Sequence, residues 1–332
     1  MKTDNQIYGN DAFFETVKNY DKIIIFRHVN PDPDALGAQN ALAYLLCKRF
    51  PSKQIKCAGA TPDNLKWMDD LMDPLYEDML RENLAKNKDI DSDFKDSSTL
   101  GIVLDTANTE RIDGDWEGID LFKIDHHPAE YNDHYENEYI NTNASSTSEL
   151  IADLFEFTLY TSEDDELLAS LYAGIAGDTG RFMYNNTTSH TLLVVGTVLE
   201  NLSPDYRYTI NTKLGSINEY QANLMGYAYD RRYYLNDNVV SLIIPYSQIR
   251  GGHEADAYVT IGALQRLEKP EIVVVAVENE DGSYRIHLRS KFKPINELAA
   301  KYNGGGHPLA AGAKAKDRDE VAKLFHELAE EW

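Results

Sequence analysis

Basic residues are scarce in this chain. Its 332 residues carry 32 Lys and Arg against 55 Asp and Glu, a net charge of −23. Affinity for nucleic acid duplexes comes largely from neutralising phosphates with Lys and Arg, so this balance argues against binding long duplexes. A small phosphorylated substrate in one local basic pocket stays compatible with it. Cysteine is scarcer still, with Cys47 and Cys57 alone. Neither has a ligand spacing, and two cysteines give no secreted disulfide framework. No apolar run nears the ~20 residues of a membrane-spanning helix. The N-terminal stretch MKTDNQIYGNDAFF has neither a basic start nor an apolar centre. No secretion signal and no membrane partner are therefore expected, and the cytoplasm is the expected compartment.

What is present suits two domains. Hydrophobic residues make up 42% of the chain, enough for each half to bury a core. Short apolar runs at 22–26, 54–58, 100–104 and 119–124 read as strands. They alternate with helical patterns over 34–49, 150–160 and 163–177, the second opened by an S/T-x-x-E signature near Ser145 to Glu149. Such alternation predicts an α/β fold with a mainly parallel sheet. The stretch 69–98 reads as charged and irregular, helical in part and exposed. Residues 190–230 read as a helical connector broken at Ser203-Pro204. Strands at 239–244, 271–277 and 283–289, a short helix at 295–302, a glycine loop and a final helix at 318–330 complete a smaller C-terminal α/β domain. The expected boundaries are 1–189, 190–230 and 231–332.

Four clusters of candidate ligands share one topological feature. His28-Val-Asn-Pro-Asp32-Pro-Asp34, then Asp105, then Asp125-His126-His127 each come after a predicted strand, and Gly177-Asp178-Thr-Gly180-Arg181 closes a predicted helix. In parallel α/β sheets, ligands bind beyond the carboxyl ends of strands. A lone aspartate at a strand end is ordinarily a turn or cap residue. Four such clusters in register with the topology point instead to a shared site. Carboxylates and imidazoles without thiolates suit Mn²⁺ or Mg²⁺, and a pair of such ions needs a bridging carboxylate. In the second half, Arg285, His287 and Arg289 alternate with Tyr284, Ile286 and Leu288. From Arg285 to Lys316 seven basic residues face one acid, Glu297, and Gly304-Gly305-Gly306-His307 lies among them. Consecutive glycines let backbone N–H groups approach an anion. His134, His190 and His326 lie outside these clusters and read as surface or packing residues.

The series H-x-N-P-D-x-D-A-x-G, a strand ending before Asp, D-H-H, G-D-T-G-R-F and R-S…G-G-G-H resembles the DHH phosphoesterase superfamily with its DHH-associated C-terminal domain. The resemblance spans about residues 20–330. Its compact length is similar to the bacterial branch that hydrolyses 3′-phosphoadenosine 5′-phosphate (pAp) to AMP and degrades short RNA oligonucleotides (nanoRNA), with the dinucleotide pApA as a further substrate. The resemblance implies a DHH metal-binding catalytic domain, a substrate-binding second domain and an active site in the cleft between them. It implies that His28, Asp32 and Asp105 hold one Mn²⁺, with Mg²⁺ as the alternative. Asp34, Asp105, His126 and Asp178 would hold the other, with Asp105 bridging. Asp125 would orient His126, and His127 would lie near the scissile phosphate. Arg181, Arg289, Ser290, Gly304, Gly305, Gly306 and His307 would bind substrate. Ala38 departs from the Ser that many relatives carry, at a position expected to pack a helix. A family II inorganic pyrophosphatase shares the first domain but carries a more basic second-domain segment than Arg289-Ser-Lys-Phe-Lys. A non-catalytic nucleotide sensor would lack ligands, and none is missing. The implied partners are short RNA or DNA oligonucleotides, pAp and pApA, with a homodimer left open.

Overall fold

Three successive isoleucines decide the first strand, β1 (Lys22–Phe26). Ile23 and Ile25 enter one apolar cluster with Leu36, Leu42 and Ile102, while Ile24 and Phe26 enter another with Val103 and Leu121. Both faces are buried, as a parallel sheet requires. The computed structural model describes residues 12–71, 92–128, 135, 137–155, 164–250 and 257–332. Contacts divide the chain into Met1–Ser216 and Ile217–Trp332.

In the first unit, β2 (Gln54–Cys57), β3 (Thr99–Leu104), β4 (Asp120–Asp125) and β5 (Asn137–Ile140) join β1 in the order β2-β1-β3-β4-β5, every pair parallel. A helix over 12–18, α1, precedes the sheet. The helix α2 (Pro33–Arg49) starts where Asp32 accepts from the N–H groups of Asp34 and Ala35, both at 3.0 Å, with proline in the first turn. Ala38 is fully buried within it. Ser146 caps α3 (Thr147–Leu154), accepting from Glu149 N–H at 3.0 Å. Two further helices, α4 (Asp165–Asp178) and α5 (Ser189–Asn201), also pack in this unit, and α6 (Pro204–Gly215) comes after them. The stretch read as a connector is helical, and the two units part between Ser216 and Ile217 inside it. Most of the stretch 69–98, the end of the predicted helix 150–160 and His134 lie outside the described residues. No described helix is long and apolar enough to cross a membrane.

The second unit opens with α7 (Glu219–Arg231) and β6 (Tyr233–Tyr234), then β7 (Val239–Ile244), α8 (Tyr246–Ile249) and α9 (Tyr258–Gln265). Next come β8 (Ile272–Glu278), β9 (Tyr284–Ser290), α10 (Asn296–Lys301), β10 (Gly305–His307), β11 (Ala310–Ala315) and α11 (Arg318–Glu331). The sheet order is β10-β11-β9-β8-β7-β6, with only β7 and β8 parallel.

One expectation is corrected here. The glycine stretch is not a loop: Gly305 to His307 pair antiparallel with Gly312 to Ala310, and β11 then pairs with β9. Alanine and glycine give no β-rich pattern, but Ala311, Ala313 and Ala315 alternate into the core. A Cβ on Gly304 would overlap the Gly312 carbonyl oxygen, and Gly306 has φ +131°. Absent side chains are thus what lets this hairpin close.

Candidate metal centre

The sheet topology assembles the first site. Strands β1, β3 and β4 are neighbours, and His28, Asp105 and Asp125 stand at or just past their carboxyl ends. Asp34 lies in the first turn of α2 and Asp178 ends α4. Donor atoms of His28, Asp32 and Asp105 lie within 4.8 Å of one another, as do those of Asp34, His126 and Asp178, and those of Asp105, His126 and His127. Asp105 links the groups. Its Oδ2 is 3.4 Å from His28 Nε2, and its Oδ1 is 3.5 Å from His126 Nε2. His126 Nε2 is also 3.5 Å from Asp178 Oδ2, and His28 Nε2 is 3.9 Å from Asp32 Oδ2.

The supports are backbone groups and two polar side chains. Asp34, almost fully buried, accepts from the N–H groups of Thr147 (2.7 Å) and Ser148 (2.8 Å) at the start of α3. That helix end favours a carboxylate. Thr147 Oγ1 donates to Asp105 Oδ1 at 3.3 Å. Asn186 donates to the backbone carbonyls of Ser145 and Asp178, tying α3 to the end of α4. Asp105 itself has φ +51°, a left-handed conformation that Asp tolerates better than most residues.

The role expected of Asp125 is corrected. Its Oδ1 accepts from His127 N–H at 3.0 Å and lies 2.9 Å from His127 Nδ1, whereas His126 Nδ1 faces the Ala144 carbonyl at 3.4 Å. The tight turn after β4 brings the second histidine, not the first, back onto the aspartate. Lys123, fully buried, holds the Ala107 carbonyl at 2.9 Å and sits 3.5 Å from Asp125 Oδ2. Sequence reasoning overlooked this lysine. A basic residue between the apolar Phe122 and Ile124 of β4 was the available signal.

Burial, then the charges of Asp34, Asp32, Asp125 and Asp178, pushes the Asp105 carboxyl well above the carboxylate range. Burial also raises Asp34, and with the neighbouring Asp34 and Asp32 it pushes Asp178 to about 8. Burial pulls Asp125 upward, but its bond to His127 and the charge of His127 outweigh this and leave it low. The same bond raises His127. Three buried carboxyls whose ionisation is opposed, Asp34, Asp105 and Asp178, with imidazoles and no thiolate beside them, fit a pair of hard divalent cations.

The second unit holds an open pocket of about 340 Å³ lined by Arg285, His287, Arg289, the three glycines and Lys314, among others. Strand alternation puts Ser290 on the other face, where its Oγ accepts from the N–H groups of Phe292 and Lys293. The structure thus does not bring Ser290 to the pocket. His307 is exposed on β10. Arg181 is exposed in the first unit, at φ +58°, its guanidinium against Gly215. Gly304→Ala is expected to disrupt the hairpin and destabilise the second unit by roughly 1–3 kcal/mol, leaving the first site unchanged. Denaturant melts alongside metal analysis would check it, and equal loss of bound metal would contradict it.

Residues 22–175 match the DHH family, N-terminal domain, and residues 242–332 match the DHHA1 domain. The chain is 36% identical to a probable bifunctional oligoribonuclease and PAP phosphatase of Streptococcus mutans, over 94% of this chain and 95% of that one. It is 34% identical to the bifunctional oligoribonuclease and PAP phosphatase of Bacillus subtilis, with the same coverage. Among solved structures, an exopolyphosphatase-related protein from Bacteroides fragilis superposes with TM-score 0.78 at 24% identity, covering 98% of this chain and 96% of that one. That likeness concerns the fold.

Proposed function

The chain belongs to the DHH family of phosphoesterases, and on that premise we propose that it hydrolyses short RNA oligonucleotides to mononucleotides and pAp to AMP, with pApA as a further substrate. The observation that carries the reading is Asp105, whose two oxygens face His28 on one side and His126 on the other. Support for the substrate class comes from relatives named for oligoribonuclease and PAP phosphatase activity across nearly the whole chain.

In this reading His28, Asp32 and Asp105 would hold one divalent ion, and Asp34, Asp105, His126 and Asp178 would hold the other. The all-oxygen-and-nitrogen donor set favours Mn²⁺, with Mg²⁺ second. Bound ions supply Lewis acidity toward the phosphoryl oxygens and lower the pKa of a water. The protein does the rest. Asp125 fixes the His127 ring by accepting from Nδ1, and holds a proton on it. Hydrolysis breaks a P–O bond and adds the elements of water. The leaving oxygen needs a proton, which His127 Nε2 supplies. Arg285, Arg289 and the glycine hairpin, with His307 at its end, are the second unit's contacts to a nucleotide, and Arg181 is an exposed cation of the first unit.

The test is an assay of the Mn²⁺-loaded chain against pAp, pApA, a labelled pentaribonucleotide, cyclic di-AMP and pyrophosphate. Turnover of the first three is expected, and turnover of pyrophosphate alone would overturn the reading. Arg289→Ala is expected to lower kcat/KM for pAp by roughly ten- to a hundredfold. Bis-p-nitrophenyl phosphate, a small diester with no far end to hold, should lose much less. Equal losses on both substrates would remove Arg289 from substrate recognition.

A further inference from the structure

The face of the second sheet that carries Arg285, His287 and Arg289 is covered over only part of its width. Across β7 and β8 it is closed by helices, with Ala228, Ile261 and Leu264 packed on Val240, Val273 and Val275. Val273, Val275 and Val277 lie directly opposite Arg289, His287 and Arg285 in the ladder. On the other side of β9 the opposing residues are Ala310, Gly312 and Lys314, and here the sheet is open. The open part is a cationic floor of small residues.

Tyr258 stands at its edge. It is the first residue of α9, lines the pocket and remains 50% exposed. Its ring centroid lies 4.7 Å from that of His287, with the planes tilted by 56°. His287 is buried between the two arginines in the strand. Burial, then the charges of Arg289 and Arg285, lowers its imidazole to about 4. At neutral pH it is therefore an uncharged ring bracing the tyrosine, not a third cation. A bare phosphate or polyphosphate has no use for an exposed aromatic wall beside the arginines. A nucleotide has both an anion and a flat base.

We propose that Tyr258, braced by His287, is a stacking platform for a nucleobase, while Arg285, Arg289 and the glycine hairpin take the phosphate of the same nucleotide. This rests on the phosphoesterase reading for its biological sense, but its test does not need turnover. Stacking on an aromatic side chain is tolerant of base identity and strong enough to shift affinity substantially. The platform therefore predicts preference for nucleotides over sugar phosphates without strict selection among bases.

The experiment is calorimetric titration of the full metal-loaded chain with AMP and with ribose 5-phosphate. The wild type is expected to bind AMP roughly ten- to a hundredfold tighter than ribose 5-phosphate. Tyr258→Ala and Tyr258→Leu should bring the two affinities within about threefold, with the ribose 5-phosphate value nearly unchanged. Tyr258→Trp should keep the preference. The unchanged sugar-phosphate affinity doubles as the control for folding. A Tyr258→Ala chain that still prefers AMP overturns the proposal, and so does equal loss of both ligands. If the preference behaves as expected while pAp, pApA and the pentanucleotide all go unhydrolysed, the platform stands and the phosphoesterase reading falls.

Discussion

Asp105→Asn is expected to lower turnover of pAp at least about a thousandfold while making the metal-free chain more stable. The side chain is almost entirely buried and both of its oxygens are engaged, one toward His28 and one toward His126. Asparagine keeps the shape and one oxygen, and it tolerates the left-handed backbone at φ +51°. It cannot bring negative charge to both ligand groups at once. Losing a shared carboxylate should weaken both ions, and interactions that act as a unit fail together. The same change removes a buried carboxyl whose ionisation is opposed by burial and then by the charges of Asp34, Asp32, Asp125 and Asp178. Functional clefts of this kind carry strain that substitution relieves. The checks are kcat on pAp, bound metal per chain by elemental analysis, and melting in chelator. Wild-type turnover with two ions per chain would show that Asp105 is no bridge.

Much of this site was legible because its residues sit where chain direction dictates. Isoleucine and valine runs marked β1 and β3, and a parallel sheet carries the residues just past each strand to one edge. His28, Asp105 and Asp125 could thus be placed together from the order of strands alone. The second unit was harder to read. Its hairpin is built from glycine and alanine, whose sequence resembles a flexible turn, and its pairing depends on close backbone approach at Gly304 and Gly306. Strand alternation correctly separated Arg285, His287 and Arg289 from their neighbours. The same alternation, applied one residue further, would have excluded Ser290. The partner of Asp125 depends on the turn after β4 and has no sequence signature. Tyr258 is one of 21 tyrosines. Nothing in its local pattern marks it, because its place beside His287 comes from two elements far apart in the chain.

Chelation is expected to abolish hydrolysis and also to make stability fall as pH rises. In the metal-free chain the Asp178 carboxyl titrates at about 8, raised by burial and then by Asp34 and Asp32. In the unfolded chain an aspartate titrates near ~3.9. The folded state therefore binds more protons between these values. Where the native state holds the extra proton, stability drops with increasing pH. That contribution is fully present below about pH 4 and disappears as pH passes the folded value near 8. Asp105 and Asp34, raised for the same reason, act in the same direction. Divalent ions reverse the slope. Their ligands must shed protons to bind, so affinity grows with pH, and an ion that binds only the folded state stabilises it by mass action. Two sites each saturated at about a hundredfold excess over Kd contribute roughly 5 kcal/mol. For a body of about 200 residues this is a Tm rise on the order of 10 °C or more. Thermal melts at pH 6 and pH 8.5, with chelator and with Mn²⁺, should show the chelated Tm falling between the two. The Mn²⁺-induced rise should be larger at pH 8.5. In Asp105→Asn the Mn²⁺ response should shrink strongly, while the pH slope should lose only the share of Asp105 and keep that of Asp178 and Asp34. A Mn²⁺ response in that variant as large as in the wild type would place the ions elsewhere in the chain.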